Sequence, residues 1–305
     1  MAIKVLLTGI SGYIGSRLAV RLARDGHEIR GLSRRPRPEL PYPIVIGDAV
    51  SGEGLQDALA DIDVAYFLIH SMEPSLDGRF DVRERAAAEN FAAAARGAGV
   101  GRIVYLGGPA PSHGVASPHL ASRLAVERIL MSAAPCAVAF RASIVIGAHS
   151  RSFRFLVHLI ERLPVMALPA WQVHRSSPID ERDVIELLVR AATNDAVCGL
   201  ALDARGRDVV SYGELIDRIG DHMLVGRPTI RFSRLTVTPI ASRVSALIAG
   251  EDHALIGTLM ESLDEDLVPR DDRAAGLLGV RLHSLDRAIE HALREWEESE
   301  PLAAR

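Results

Sequence analysis

The segment "IKVLLTGISGYIGSRLAVRLARDG" constrains the fold more than any other part of this 305-residue chain. Gly9, Gly12 and Gly15 directly follow the apolar run Ile3 to Thr8, and Ile14, Leu18 and Leu22 then keep helical spacing until Asp25 and Gly26. A strand that passes into a helix through such a loop has a physical purpose for each glycine. Gly9 permits the tight turn, Gly12 lets a pyrophosphate approach the backbone, and Gly15 lets the helix pack closely. The helix start adds free amides and the positive end of its dipole. A dinucleotide is the expected guest.

The pattern around the loop predicts the architecture. Candidate strands run over Ile3 to Thr8, Glu28 to Ser33, Ile44 to Asp48, Val64 to Ile69, Arg102 to Gly107 and Ala137 to Ile146, with helical periods between them, clearest over Arg83 to Arg96. Short β-branched runs alternating with helices predict an α/β fold, a doubly wound parallel sheet. The rhythm breaks near Gly147. Residues 1–148, rejoined by 172–204, are expected to form the nucleotide-binding domain, and 149–171 with 205–305 a smaller, mostly helical substrate or lid region. Ser211 and Glu214 have the spacing of a capping box, and Asp180 suits a helix N-cap. Phe153 and Trp171 read as core residues, with lining a substrate cleft as the alternative.

Composition excludes several classes. Lys+Arg 35 against Asp+Glu 39 gives a net charge of −4, and the charges form no basic face, so nucleic acid is not an expected partner. No stretch is apolar and long enough for a membrane span, and a cytoplasmic protein is expected. Cys136 and Cys198 lie far apart without metal or redox spacing, which predicts two reduced, buried thiols and no disulfide framework. The histidines lack the helical pairing with a carboxylate that zinc enzymes use, so no metal is expected. Apolar helix faces are compatible with a protein partner or a homodimer.

At the end of the second predicted strand, a cofactor lacking a 2′-phosphate usually meets a carboxylate. This chain offers Ser33, Arg34 and Arg35 instead. A guanidinium grips a phosphate through paired charge-assisted hydrogen bonds of about 1.5–3 kcal/mol each, so NADP(H) is expected over NAD(H).

Thr8-Gly9-x-x-Gly12-x-x-Gly15, Gly47-Asp48, "VAYFLIHSM", Asn90, "GRIVYLGG", "FRASIVIG" and "SSPIDERDV" occur in the order of the short-chain dehydrogenase/reductase superfamily, in its extended and atypical branches. The chain resembles that superfamily over most of its length, and the wording of "YFLIHSM" and "IVYLGGPAPS" is similar to its nitrogen-regulator-like and complex I accessory-subunit-like groups. The resemblance implies cofactor contacts from Thr8, Gly9, Ser11, Gly12, Tyr13, Ile14 and Gly15. It implies further contacts from Asp48 and Ala49 near the adenine, from Leu68 and His70 toward the nicotinamide ribose, and from Gly107, Arg123 and Arg141.

It also implies a catalytic serine, tyrosine and lysine, and here the chain departs. Gly107 and Gly108 stand at the serine's place, with Ser112 and Ser117 following. Aligning "HLASRLAVERIL" puts His119 at the tyrosine and Arg123 at the lysine, while Ser122 and Glu127 match. His119 can donate a proton near neutral pH, whereas Arg123 can hold ribose hydroxyls but cannot relay one. The first expectation is an NADP(H)-dependent oxidoreductase that reduces a small organic substrate, with His119 and Arg123 as catalytic residues. The alternatives are a non-catalytic NADP(H)-binding redox sensor and a nucleotide-sugar epimerase or dehydratase.

Overall fold

The computed structural model describes residues 2–69, 80–110, 118–231 and 266–299. His70, Ser112 and Ser117 lie outside the described residues, as does the side chain of His119.

Six strands, β1 (Lys4–Thr8), β2 (Glu28–Ser33), β3 (Ile44–Ile46), β4 (Val64–Phe67), β5 (Arg102–Gly107) and β6 (Cys136–Ala142), are interleaved with helices α1 (Tyr13–Arg24), α2 (Leu55–Leu59), α3 (Phe80–Ala98) and α4 (Pro118–Met131). Further on come β7 (Val145–Ile146), α5 (Arg151–Arg162), β8 (Met166–Leu168), β9 (Arg175–Ser176), β10 (Ile179–Asp180), α6 (Glu181–Ala191), β11 (Ala201–Ala204), β12 (Val210–Ser211), α7 (Tyr212–His222), β13 (Thr229–Arg231), α8 (Arg273–Leu278) and α9 (Leu285–Ser299). Seven of the strands form one parallel sheet in the order β11-β6-β5-β4-β1-β2-β3. The chain therefore winds both ways from β1, and the switch between β1 and β4 opens a crevice at the strands' carboxyl ends.

Burial explains why the strands read as continuous apolar runs. Val5, Leu6 and Leu7 are all fully buried although successive residues face opposite sides, because helices cover both faces of the sheet. One face packs Leu18, Leu22, Val184 and Leu188 of α1 and α6; the other packs Phe91, Ala95, Val126 and Leu130 of α3 and α4. A third core, with Phe153, Trp171, Ile289 and Trp296, joins α5, α7 and α9. Phe153 and Trp171 are thus core residues. Ser211 caps α7 by accepting the Glu214 amide at 3.1 Å, and Asp180 caps α6 through the Arg182 amide at 2.8 Å.

The sheet differs most from the sequence reading at and beyond its sixth strand. The predicted sixth strand breaks at Ser143, whose hydroxyl donates to the Ser177 carbonyl at 2.7 Å, and β7 turns away to pair with β10. A seventh strand, β11, extends the sheet beyond β6.

The cysteines correct the sequence reading more sharply. Cys136 and Cys198 are joined in a disulfide, with Cα atoms 4.9 Å apart across 62 residues. β6 and β11 are sheet neighbours, so residues remote in sequence meet at their amino ends. Closing a loop of that length stabilises a fold by about 2–4 kcal/mol, chiefly by restricting the unfolded chain. Dithiothreitol, or Cys136→Ser with Cys198→Ser, is expected to lower stability by about that amount. Denaturant melts with and without reductant check this; coincident curves would refute it.

Candidate functional site

A cavity of about 940 Å³ runs along the carboxyl ends of β1, β2, β3 and β4 and under the C-terminal third. That is the upper end of the range for small-molecule sites. Gly9, Ser11, Gly12, Tyr13, Ile14 and Gly15 line its floor. Ser33, Arg34 and Arg35 line it at the end of β2, Asp48 and Ala49 at β3, Leu68 at β4, Gly107 at β5, and Arg123 from α4.

The loop has the form a pyrophosphate needs. A Cβ on Gly15 would overlap the Gly9 carbonyl oxygen and lie 2.9 Å from its carbon, so α1 packs on the loop only because that Cβ is missing. Gly12 is the N-cap of α1, no side chain caps the helix, and its first turn carries no acid. The positive helix end thus meets no side-chain anion of its own first turn. Asn90 fixes the loop after β3 by donating to the carbonyls of Ala49 (3.1 Å) and Val50 (2.8 Å), while Asp48 accepts the Val50 amide at 2.8 Å.

Arg37 adds a third arginine to the end of β2. It lines the cavity, and its buried Nε has no hydrogen-bond partner. Its Nη1 pairs with Glu39 at 3.6 Å. An orphaned guanidinium donor beside Arg34 and Arg35 fits a phosphate-bearing nucleotide. The signal was present in "SRRPRP", but the intervening proline hid which arginine turns inward.

Two expected contacts are placed elsewhere. Thr8 is fully buried and off the cavity, where its hydroxyl donates to the Tyr66 carbonyl and accepts the Leu68 amide, both at 3.0 Å, joining β1 to β4. Arg141 is likewise outside the cavity lining. Glu127 holds it through two hydrogen bonds of 2.8 and 2.6 Å, with Asp203 at 4.0 Å. Glu127, on α4, thus engages that guanidinium.

At the aligned positions the family's serine and tyrosine are replaced by Gly107 and His119. A Cβ on Gly107 would sit 2.6 Å from the Tyr105 ring, which fills the space behind the strand. Tyr105 is buried and off the cavity, and burial pushes its phenol up to about 12, against the opposing effect of Arg123. Tyr13 does face the cavity, but its hydroxyl donates to Glu181, and burial first, then that carboxylate, raise its pKa far above the usual phenol value. Tyr105 does not reach the cavity, and the Tyr13 hydroxyl is already committed to Glu181. Arg123 is 3% exposed, with Glu84 at 3.3 Å, and Ser122 donates to the same carboxylate at 2.7 Å. The sequence reading missed His149, which lines the cavity near the edge of Tyr13, with ring centroids 6.4 Å apart.

Glu181, His291 and Glu295 bring ligand atoms within 4.8 Å of one another. Arg17 pairs with both carboxylates, at 2.9 Å to Glu181 and in short contact with Glu295, so the group is an ion-pair cluster tying α1 to α6 and α9. Burial raises the Glu181 pKa.

A doubly wound sheet, a glycine loop at its switch point and a nucleotide-sized cavity define a dinucleotide-binding α/β protein. The chain matches the NAD dependent epimerase/dehydratase family over residues 5–197 and belongs to it. It is 33% identical over 115 residues to a 3-beta-hydroxysteroid dehydrogenase of Mycolicibacterium neoaurum, covering 33% of this chain and 31% of that protein. It is 29% identical over 121 residues to a 2-alkyl-3-oxoalkanoate reductase of Stenotrophomonas maltophilia (strain K279a), covering 38% and 36%. The chain thus matches about a third of the length of each of these relatives. The structure of MoeE5 in complex with UDP-glucose and NAD superposes with a TM-score of 0.72 at 20% identity, covering 97% of this chain and 98% of that one. Among the described residues, no helix is long and apolar enough to cross a membrane.

Proposed function

We propose that the protein is an NADP(H)-dependent oxidoreductase that reduces a carbonyl of a small organic compound. The observation that carries this reading is the arginine cluster at the end of β2, where Arg34, Arg35 and Arg37 line the cavity and the strand ends on Ser33 rather than on an acid. When bound, the nicotinamide supplies a hydride, and the protein's task is to bind, orient and protonate. The amides at the start of α1 hold the pyrophosphate, and Asp48 and Ala49 border the adenine. Arg123, kept charged and oriented by Glu84, holds ribose hydroxyls near Gly107. His119, one helical turn before Arg123 on α4, donates the proton to the developing alkoxide, and His149 is the rival donor.

The family match and the sugar nucleotide bound to MoeE5 favour a second reading, epimerase or dehydratase chemistry on a nucleotide sugar. The glycine at position 107 and the arginine at 123 favour a third, a nucleotide sensor without turnover. One experiment separates them. NADPH and NADH are titrated by fluorescence, and then aldehydes, quinones, enones and UDP-glucose are added. Binding at least about tenfold tighter for NADPH, abolished as a preference by Arg34→Asp, is expected, as is oxidation of NADPH by a carbonyl compound. His119→Ala should lower turnover about 10²–10⁴-fold. If His149→Ala has that effect and His119→Ala none, the donor is His149. Tight binding with no turnover on any compound would support the sensor.

A further inference from the structure

The cavity continues past the nucleotide loops. Beyond β6 its wall is built by Ile144, Phe155, Leu156, Tyr212 and Leu267, with Pro109 opposite. Among the described residues lining the whole cavity, the only carboxylate is Asp48, at the adenine end, and no Asn, Gln or Lys is present. Ser143, His149, Ser150, Arg151 and Ser152 are the polar groups at this end, so a sugar that buries its hydroxyls here must match them to these side chains alone, and each hydroxyl left unmet weakens binding. An aliphatic or ring body needs only apolar area, which this wall supplies.

Leu267 occupies a fixed position although it lies in a short irregular strap. Its amide donates to the Arg175 carbonyl at 2.8 Å, and the Arg175 amide donates to Asp266 at 2.7 Å. Downstream, the buried carboxylate of Asp203 accepts the amides of Arg270 (2.6 Å) and Asp271 (3.0 Å). The strap is therefore stitched to β9 on one side of Leu267 and to β11 on the other. Phe155 is 3% exposed on α5. Tyr212, the first residue of α7, is held edge-on to Trp171 with centroids 6.3 Å apart. The apolar surface is preformed, so a ligand meeting it spends little on ordering side chains.

We infer that Leu267, with Phe155 and Tyr212, is a specificity determinant that selects a substrate with an apolar body over a polyhydroxylated sugar. This rests on reading the cavity as the substrate site of the proposed reductase.

The test uses binding to the NADP⁺-saturated protein, so that the nucleotide end is filled and turnover is not the readout. 1-Anilinonaphthalene-8-sulfonate reports on the apolar wall and is displaced by 2-alkanones from 2-butanone to 2-decanone, and separately by UDP-glucose. Each added methylene is expected to improve displacement about two- to fourfold until the chain fills the wall. Leu267→Ala should weaken the longest ketone about tenfold, and Leu267→Met should restore it. A flat series, displacement by UDP-glucose in preference to 2-decanone, or unchanged ketone binding in folded Leu267→Ala would each overturn the inference. The wild-type series decides the matter if Leu267→Ala does not fold. Ketone binding without NADPH oxidation would sink the reductase reading alone, and NADPH oxidation with a flat series would sink this inference alone.

Discussion

Gly15→Ala is expected to abolish measurable nucleotide binding while leaving a folded protein. The new methyl group would collide with the Gly9 carbonyl oxygen and lie 3.1 Å from the Ile10 Cα, all of it backbone that no rotamer change can clear. The first turn of α1 must move away from the loop, and the amides aimed at the pyrophosphate move with it. Losing two charge-assisted hydrogen bonds of about 1.5–3 kcal/mol each corresponds to a loss of a hundredfold or more in affinity. The fold should survive, because Leu18, Ala19 and Leu22 stay packed on the sheet and the helix needs only a local adjustment at its start. Fluorescence titration with NADPH, with circular dichroism as the fold control, checks both halves. Native affinity in the alanine variant would mean that the nucleotide does not use this loop.

How much the sequence showed depended on the distance over which each feature is determined. β2 and β5 begin and end where the β-branched runs do, because strand propensity and burial are local. The glycine loop was legible for the same reason, as were the caps at Asp180 and Ser211. Other features are settled between elements far apart in the chain. Cys136 meets Cys198 only because β11 docks beside β6. Arg141 pairs with Glu127 because α4 passes that strand. Leu267 is held at the cavity by its own amide's hydrogen bond to Arg175 and by those of Arg270 and Asp271 to Asp203, acceptors remote from it in sequence. His149 and Arg37 carried the right chemistry in the sequence, but only the turns that hold them show that they face the cavity.

The buried tyrosines lead to an abrupt loss of stability in alkali. Tyr66 is fully buried, with its hydroxyl donating to the Leu188 carbonyl at 2.8 Å, so it joins the sheet to α6. Tyr105 and Tyr212 are 1% and 3% exposed. In each, desolvation by burial is the main cause of a raised phenol pKa, to about 12 for Tyr105 and higher for the other two, with Arg102 opposing at Tyr66 and Arg123 at Tyr105. The unfolded chain ionises its tyrosines near pH 10. The stabilisation these phenols represent is therefore fully present below about pH 10 and is lost as pH rises toward the folded values. Each contributes about 1.4 kcal/mol per pH unit in that window, and with Tyr13, raised by burial and Glu181, the four together contribute about 5 kcal/mol per unit. A fold with an ordinary stability of about 5–15 kcal/mol should then unfold cooperatively one to a few pH units above pH 10. Phenolate absorbance and far-ultraviolet circular dichroism, followed together, should change at the same pH. Tyr105→Phe should remove about a quarter of the slope, because it deletes one of four such proton sites. Phenolate appearing near pH 10 with the circular dichroism intact would show that these rings titrate in the native state and that α6 and the sheet do not exclude water from them.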